Sequence, residues 1–177
     1  MRDRRGRRKY LTGAERKAFL KTAQELTGQR KALCELLYYT GCRISEALAL
    51  DADGLDFGES TVVIHTLKQR DRIDFRDIPV PIDLLIELKG LAEGSRVFSI
   101  SRPTAWRIVK RVMANAGIVG IHATPKGLRH GFAVAHGAAK THPEVLQHWM
   151  GHAEEATTKI YLRIRGEEAY ELAKAVW

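Results

Sequence analysis

Only two cysteines occur in the 177 residues, Cys34 and Cys42, and no CxxC pair is present. Two isolated thiols exclude a disulfide framework, suit a reducing cytosol, and read as small core residues. No apolar run approaches the roughly 18 residues that a membrane span requires, and the basic N-terminus is not followed by the apolar stretch of a secretory signal. A cytoplasmic chain without a membrane partner is the expectation. Internal repeats are missing, as is any stretch resembling an interdomain linker after residue 10. "HWMGH" spaces His148 and His152 four apart but lacks the glutamate of HExxH and places Gly151 before the second histidine. Neither a metal nor another cofactor is expected from that pattern.

What the sequence does have is positive charge. Lysine and arginine number 29 against 21 acids, a net charge of +8 that points to a polyanionic partner. Most of it is concentrated at one end, because "MRDRRGRRKY" carries six bases and one acid. Residues 1–10 read as a basic arm or linker remnant that binds phosphates nonspecifically. Residues 11–177, with a net charge of only +3, read as one domain that must supply any specificity itself.

Periodicity sets the fold class. "LTGAERKAFLKTAQELTG" begins with Thr12 and Glu15 at capping-box spacing and places Phe19, Ala23 and Leu26 on one helical face. "RKALCELLYYTG" predicts a second helix stopped by Gly41, and "RISEALAL" a third beginning near Arg43. "STVVIHTL" and "RIDFRDIPVP" flank the polar turn "KQRD" as a β-hairpin. Helical patterns then continue: "IDLLIELKGL", "SRPTAWRIVKRVMANAG" with Ser101 as N-cap, "TPKGLRHGFAVAHGAAK", "HPEVLQHWMGH", "EEATTKIYLRI" and "EEAYELAKAVW". The expected fold is mainly α with a small antiparallel β-sheet or hairpin.

Several polar groups carry two readings each. Arg43 lies in the first turn of its helix, where free N–H groups favour an anion, and Glu46 at i+3 can hold its guanidinium; the same pair also reads as a surface ion pair. Lys126 and Arg129 share one helical face, either as a converging cation pair or as a solvated edge. Arg107, Lys110 and Arg111 lie at i, i+3 and i+4, opposite Ile108, Val112 and Ala116, as a DNA-contacting face or a solvated one. Tyr161 in "TTKIYLRI" is either a packing aromatic or a reactive hydroxyl.

Taken in order, "TGCRISEALAL", "TLKQR", "TPKGLRHGFA", "LQHWMGH" and "TTKIYLRI" resemble the catalytic domain of the tyrosine recombinases, the phage integrase family. The resemblance runs from about Leu11 to the C-terminus. It implies that Arg43 and Arg129 bind the phosphate, Lys68 is the hairpin-turn lysine, Lys126 fills a His-or-Lys position, His152 is the late histidine and Tyr161 is the nucleophile. Arg70 and Arg72 compete with Lys68, because the hairpin looks longer than the compact lysine turn of relatives. The implied activity is site-specific breakage and rejoining of double-stranded DNA through a 3′-phosphotyrosyl intermediate, without metal or ATP. The implied partners are duplex DNA and neighbouring copies of the chain. The stripe Ala169, Leu172, Ala173 and Val176 would be donated to a neighbouring protomer or would pack back on its own domain. A noncatalytic DNA-binding protein that keeps the fold is the alternative.

Overall fold

The computed structural model describes residues 1–66 and 74–151. The hairpin turn with Lys68, Arg70 and Arg72, and the C-terminal stretch with His152, Tyr161 and the apolar stripe of residues 169–176, lie outside the described residues.

Seven helices and a three-stranded antiparallel sheet are seen among the described residues. Helix α1 (Gly13–Gln24) starts at the expected capping box: Thr12 Oγ1 accepts from Glu15 N, and the Glu15 carboxylate accepts from Thr12 N. Its apolar face buries Phe19 and Ala23 completely. Helix α2 (Gly28–Thr40) buries both faces, including Cys34, and ends at Gly41 in the left-handed conformation. A β-carbon there would lie 2.6 Å from the Phe132 ring, so glycine is needed for space as well as for backbone angle. The chain can then turn directly into the five-residue α3 (Ile44–Leu48), with Arg43 as its N-cap.

The sheet has one more strand than a hairpin. The two-residue β1 (Leu55–Asp56) pairs with β2 (Thr61–His65), which pairs with β3 (Phe75–Pro79). Alternation directs Val62 and Ile64 of β2 inward, and opposite them Arg76 and Ile78 of β3. Helix α4 (Ile82–Leu91) covers the core with Leu84, Leu85 and Leu88. Helix α5 (Arg102–Asn115) has Ser101 as its N-cap, accepting from Thr104 N, with Pro103 in the first turn. Helix α6 (Pro125–Ala138) is capped by Thr124, and α7 (Pro143–Met150) closes at Gly151 in the left-handed region. The core is continuous from α1 through α6; Phe132, Ala133, Leu146 and Met150 form a smaller cluster where α6 meets α7.

The basic arm is folded back on itself. Asp3 Oδ1 accepts from the N–H groups of Arg5 and Arg7, Asp3 Oδ2 accepts from Arg7 Nε at 2.8 Å, and Arg2 bridges to Arg8. Arg8 then grips the Glu15 carboxylate with both Nη atoms, beside His122 from the segment before α6. This ties residues 1–10 to the start of α1.

Candidate active site

Arg43, at the head of α3, contacts Glu46 twice. Arg43 N donates to Glu46 Oε2 at 2.8 Å and Arg43 Nη1 to Glu46 Oε1 at 2.6 Å. The solvated ion-pair reading fails on burial, because the Glu46 side chain is 0 % exposed while that of Arg43 is 30 % exposed. A carboxylate so far from water requires full compensation. It has it: Glu46 Oε2 also accepts from Arg76 Nη2 at 2.7 Å, and the Arg76 side chain is itself 0 % exposed. Burial alone would push the Glu46 carboxyl up, but the charge of Arg76 and the hydrogen bonds from Arg43 and Arg76 outweigh it and hold it below the usual range.

Arg76 was not singled out in the sequence, and it is the residue that joins the sheet to the site. Besides Glu46 it donates from Nη1 to Trp149 O at 2.9 Å, fastening the end of α7 to β3. Gly151 lies against its guanidinium; a β-carbon at that position would stand 2.9 Å from Arg76 Nη1. The glycine of "HWMGH" therefore lets the chain turn closely over a buried cation, just before His152. The helix that carries His148 ends at Met150, and Gly151 follows in the left-handed conformation. His148 is exposed.

Arg129 is anchored differently, and also deeply. On α6 it donates from Nη1 to Gly41 O at 2.7 Å, just before Cys42 and Arg43, and from Nη2 to Met150 O at the end of α7. Burial and the nearby charge of Arg43 pull its pKa down to about 10, so it keeps its proton at neutral pH. Its five N–H donors exceed the two used by these carbonyls. Among the described residues the cluster thus holds three guanidiniums, Arg43, Arg76 and Arg129, around one carboxylate, Glu46, and is short of negative charge. Lys126 is exposed in the first turn of α6, one turn before Arg129. The pair does not form a uniform solvated edge: one cation is buried and the other faces water.

The three candidate DNA contacts on α5 are divided. Lys110 Nζ donates to Ala123 O at 2.7 Å, toward the start of α6. Arg107 and Arg111 instead line a cavity of about 380 Å³ with Glu25, Leu26 and Arg30, toward α1 and the start of α2. Ile108 and Val112, read as part of the opposite apolar face, line that same cavity. The fully apolar face of α5 is made by Ala105, Val109, Val112 and Met113. Helical spacing correctly gives the angles between these side chains, but the neighbouring elements decide which of them share a surface.

Among the described residues, then, the fold brings Arg43, Arg129, Glu46 and Arg76 together, with Lys126 at the rim; Lys68, His152 and Tyr161 lie outside them. Comparison with known proteins supplies the context. The chain is 32% identical over 150 residues to tyrosine recombinase XerD of Mycobacterium leprae, covering 75% of this chain and 47% of that protein. It is 31% identical over 186 residues to tyrosine recombinase XerA of Pyrococcus horikoshii, covering 95% of this chain and 62% of that protein. The chain thus spans about half to three-fifths of the length of these curated relatives. Among solved structures, XerA recombinase superposes with a TM-score of 0.77 at 24% identity, over 94% of this chain and 64% of that one. The catalytic domain of bacteriophage HP1 integrase superposes with a TM-score of 0.70 at 18% identity, over 94% of both chains. The model of the phage integrase family matches residues 9–168, from the end of the basic arm through the segment holding Tyr161, and the protein belongs to that family.

Proposed function

We propose that the chain is the catalytic part of a site-specific DNA recombinase that cuts one strand at a time, holds it as a 3′-phosphotyrosyl ester on Tyr161 and rejoins it to another 5′-hydroxyl. The observation that carries this reading is the charge-deficient arginine cluster. A phosphodiester has one negative charge and gains a second on its nonbridging oxygens as the attacking oxygen adds. Among the described residues, three guanidiniums answered by one carboxylate leave two positive charges, which matches that dianion. Arginine suits this role because it stays protonated and presents paired donors to phosphate.

Each step keeps its proton and bond balance. The Tyr161 hydroxyl, with a reference pKa near 10, loses its proton as its oxygen bonds to phosphorus, with His152 or a water as the acceptor. The bond from phosphorus to the 5′-oxygen breaks, and Lys68 supplies the proton to that leaving oxygen. Lys126 is a hydrogen-bond donor to the phosphate rather than a general base, since an ammonium has no lone pair to offer. The ester conserves the energy of the broken bond, so rejoining needs no ATP. Duplex DNA is the partner, and the C-terminal stripe Ala169, Leu172, Ala173 and Val176 is the surface proposed for self-association.

The test uses nicked duplexes with a randomised centre, incubated in EDTA and challenged with SDS. DNA that stays attached to wild-type protein and not to Tyr161→Phe supports the reading. Adduct formation by the Phe variant removes Tyr161 as nucleophile. Sequence-selective binding without any adduct identifies a noncatalytic DNA-binding protein.

A further inference from the structure

The geometry points to Trp106 as a specificity-determining residue that packs against a thymine methyl in the major groove beside the phosphate site. Trp106 is 47% exposed in the middle of α5, a helix whose core contacts are made by other side chains. A single exposed aromatic is ordinary by itself, but this one stands between two cations whose partners define the surface. One turn earlier, Arg102 Nε donates to Ser45 Oγ at 3.2 Å, in the first turn of α3 and two residues from Arg43. One turn later, Lys110 Nζ donates to Ala123 O and lies 5.9 Å from the centre of the Trp106 ring. Ala123 precedes Thr124, the cap of the helix carrying Lys126 and Arg129.

The stripe Arg102, Trp106 and Lys110 therefore runs from the head of α3 to the head of α6, the two helices that bear the phosphate-binding groups. Eight residues of helix span ~12 Å, which is also the approximate width of the major groove. DNA whose phosphate occupies the arginine cluster lies alongside this stripe. The two flanking cations suit its backbone, while the uncharged indole between them suits a base edge. Among base edges in the major groove, thymine alone presents a methyl group, and apolar side chains read it by contact. Arg107 and Arg111 line the cavity on the α1 side of the helix.

This inference rests on the DNA reading above but not on cleavage, so binding is measured in a Tyr161→Phe background. A duplex is first selected by this protein from a randomised library. Each thymine of the selected duplex is then replaced in turn by deoxyuridine, which removes only the methyl. One replacement is expected to weaken binding about fourfold, the effect of returning one methyl to water. Trp106→Ala should lose at least that much affinity for the selected duplex, become indifferent to the same replacement, and keep both its nonspecific affinity and its salt dependence, since no charge is removed. Trp106→Phe, which keeps an aromatic surface, should retain most of the preference. If no thymine position couples to Trp106, or if Trp106→Ala weakens selected and random duplexes equally, the assignment is wrong. These outcomes are independent of whether wild-type protein forms an SDS-resistant adduct.

Discussion

The basic arm and the arginine cluster hold most of what makes this chain cationic, and they use charge in opposite ways. Residues 1–10 carry a net charge of +5, yet their hydrogen bonds are mostly internal: Asp3 serves Arg5 and Arg7, and Gly6 O serves Arg2. Arg4 and Arg5 remain exposed. The cluster around Glu46 has fewer charges, but Glu46, Arg76 and Arg129 are buried, Arg43 is only 30 % exposed, and groups at the end of α2 and in α3, α7 and β3 hold them in place. Charge density gives attraction, which salt screens; fixed geometry at low dielectric gives transition-state stabilisation, which salt hardly touches.

The largest effect should come from breaking the cluster at its functional end. Arg43→Ala and Arg129→Ala are each expected to slow adduct formation by 10²–10³, or ~3–4 kcal/mol, at saturating DNA. Single-turnover kinetics measures this. A normal rate in either variant would mean that the phosphate sits elsewhere.

Next comes the support beneath it. Glu46→Gln keeps the shape but leaves the buried Arg76 without its counter-charge, and should cost about 3–5 kcal/mol in denaturant unfolding. Adding Arg76→Met to that variant should cost less than the two single changes together, because the uncompensated cation is then gone. Strict additivity would show that the pair is not coupled. A milder probe is sulfate, an anion that the charge-deficient pocket should bind. At ten times its Kd it should stabilise the wild-type protein by about 1.4 kcal/mol more than Arg43→Ala, the difference removing sulfate's general effect on folded proteins.

The arm should behave as the contrasting case. Arg4→Gln with Arg5→Gln is expected to lower the slope of log affinity against log salt by about 1.8, two phosphates' worth, while leaving the rate of adduct formation on saturating DNA unchanged. A rate loss comparable to that of Arg43→Ala would erase the distinction between the two regions.

How legible these regions were follows from how local they are. Arg43 and Glu46 are three residues apart at the start of one helix, Lys126 and Arg129 three apart on another, and the caps at Thr12 and Ser101 are short-range patterns that a sequence displays directly. Arg76 was missed because its carboxylate partner is 30 residues away and its carbonyl partner 73. Its signal was present all the same: counting by twos from Val80 through Ile78 reaches Arg76, a charge at an inward strand position that needs a buried partner. Strand β1 is only two residues long, too short for any periodicity. The split among Arg107, Lys110 and Arg111 depends on which elements pack beside α5, which the spacing within one helix does not encode.

The smallest expected effect concerns the latch that joins the arm to the domain. Glu15 accepts hydrogen bonds from Arg8 and Thr12 N, and its Oε1 lies 3.1 Å from His122 Nε2. Burial would raise its carboxyl, but the bonds from Arg8, the Thr12 backbone and His122 prevail and bring it down from 4.5 to about 2. A carboxyl lowered on folding stabilises the folded state fully above its unfolded value, and that contribution disappears as pH falls from about 4.5 toward 2. Solvent screens this partly exposed group, so the effect on global stability is modest and local opening of the arm is the more sensitive readout. Glu15→Gln should therefore expose the arm to limited proteolysis and amide exchange at neutral pH, and the wild-type protein should approach the same behaviour as pH falls toward 2. Because the side-chain amide in the Glu15→Gln variant would still accept a hydrogen bond from Thr12 N, the helix cap survives and the comparison isolates the ionic grip on Arg8. An equal difference between the two proteins at all pH values would mean that the arm is held by packing, and that its tie to the domain owes nothing to charge.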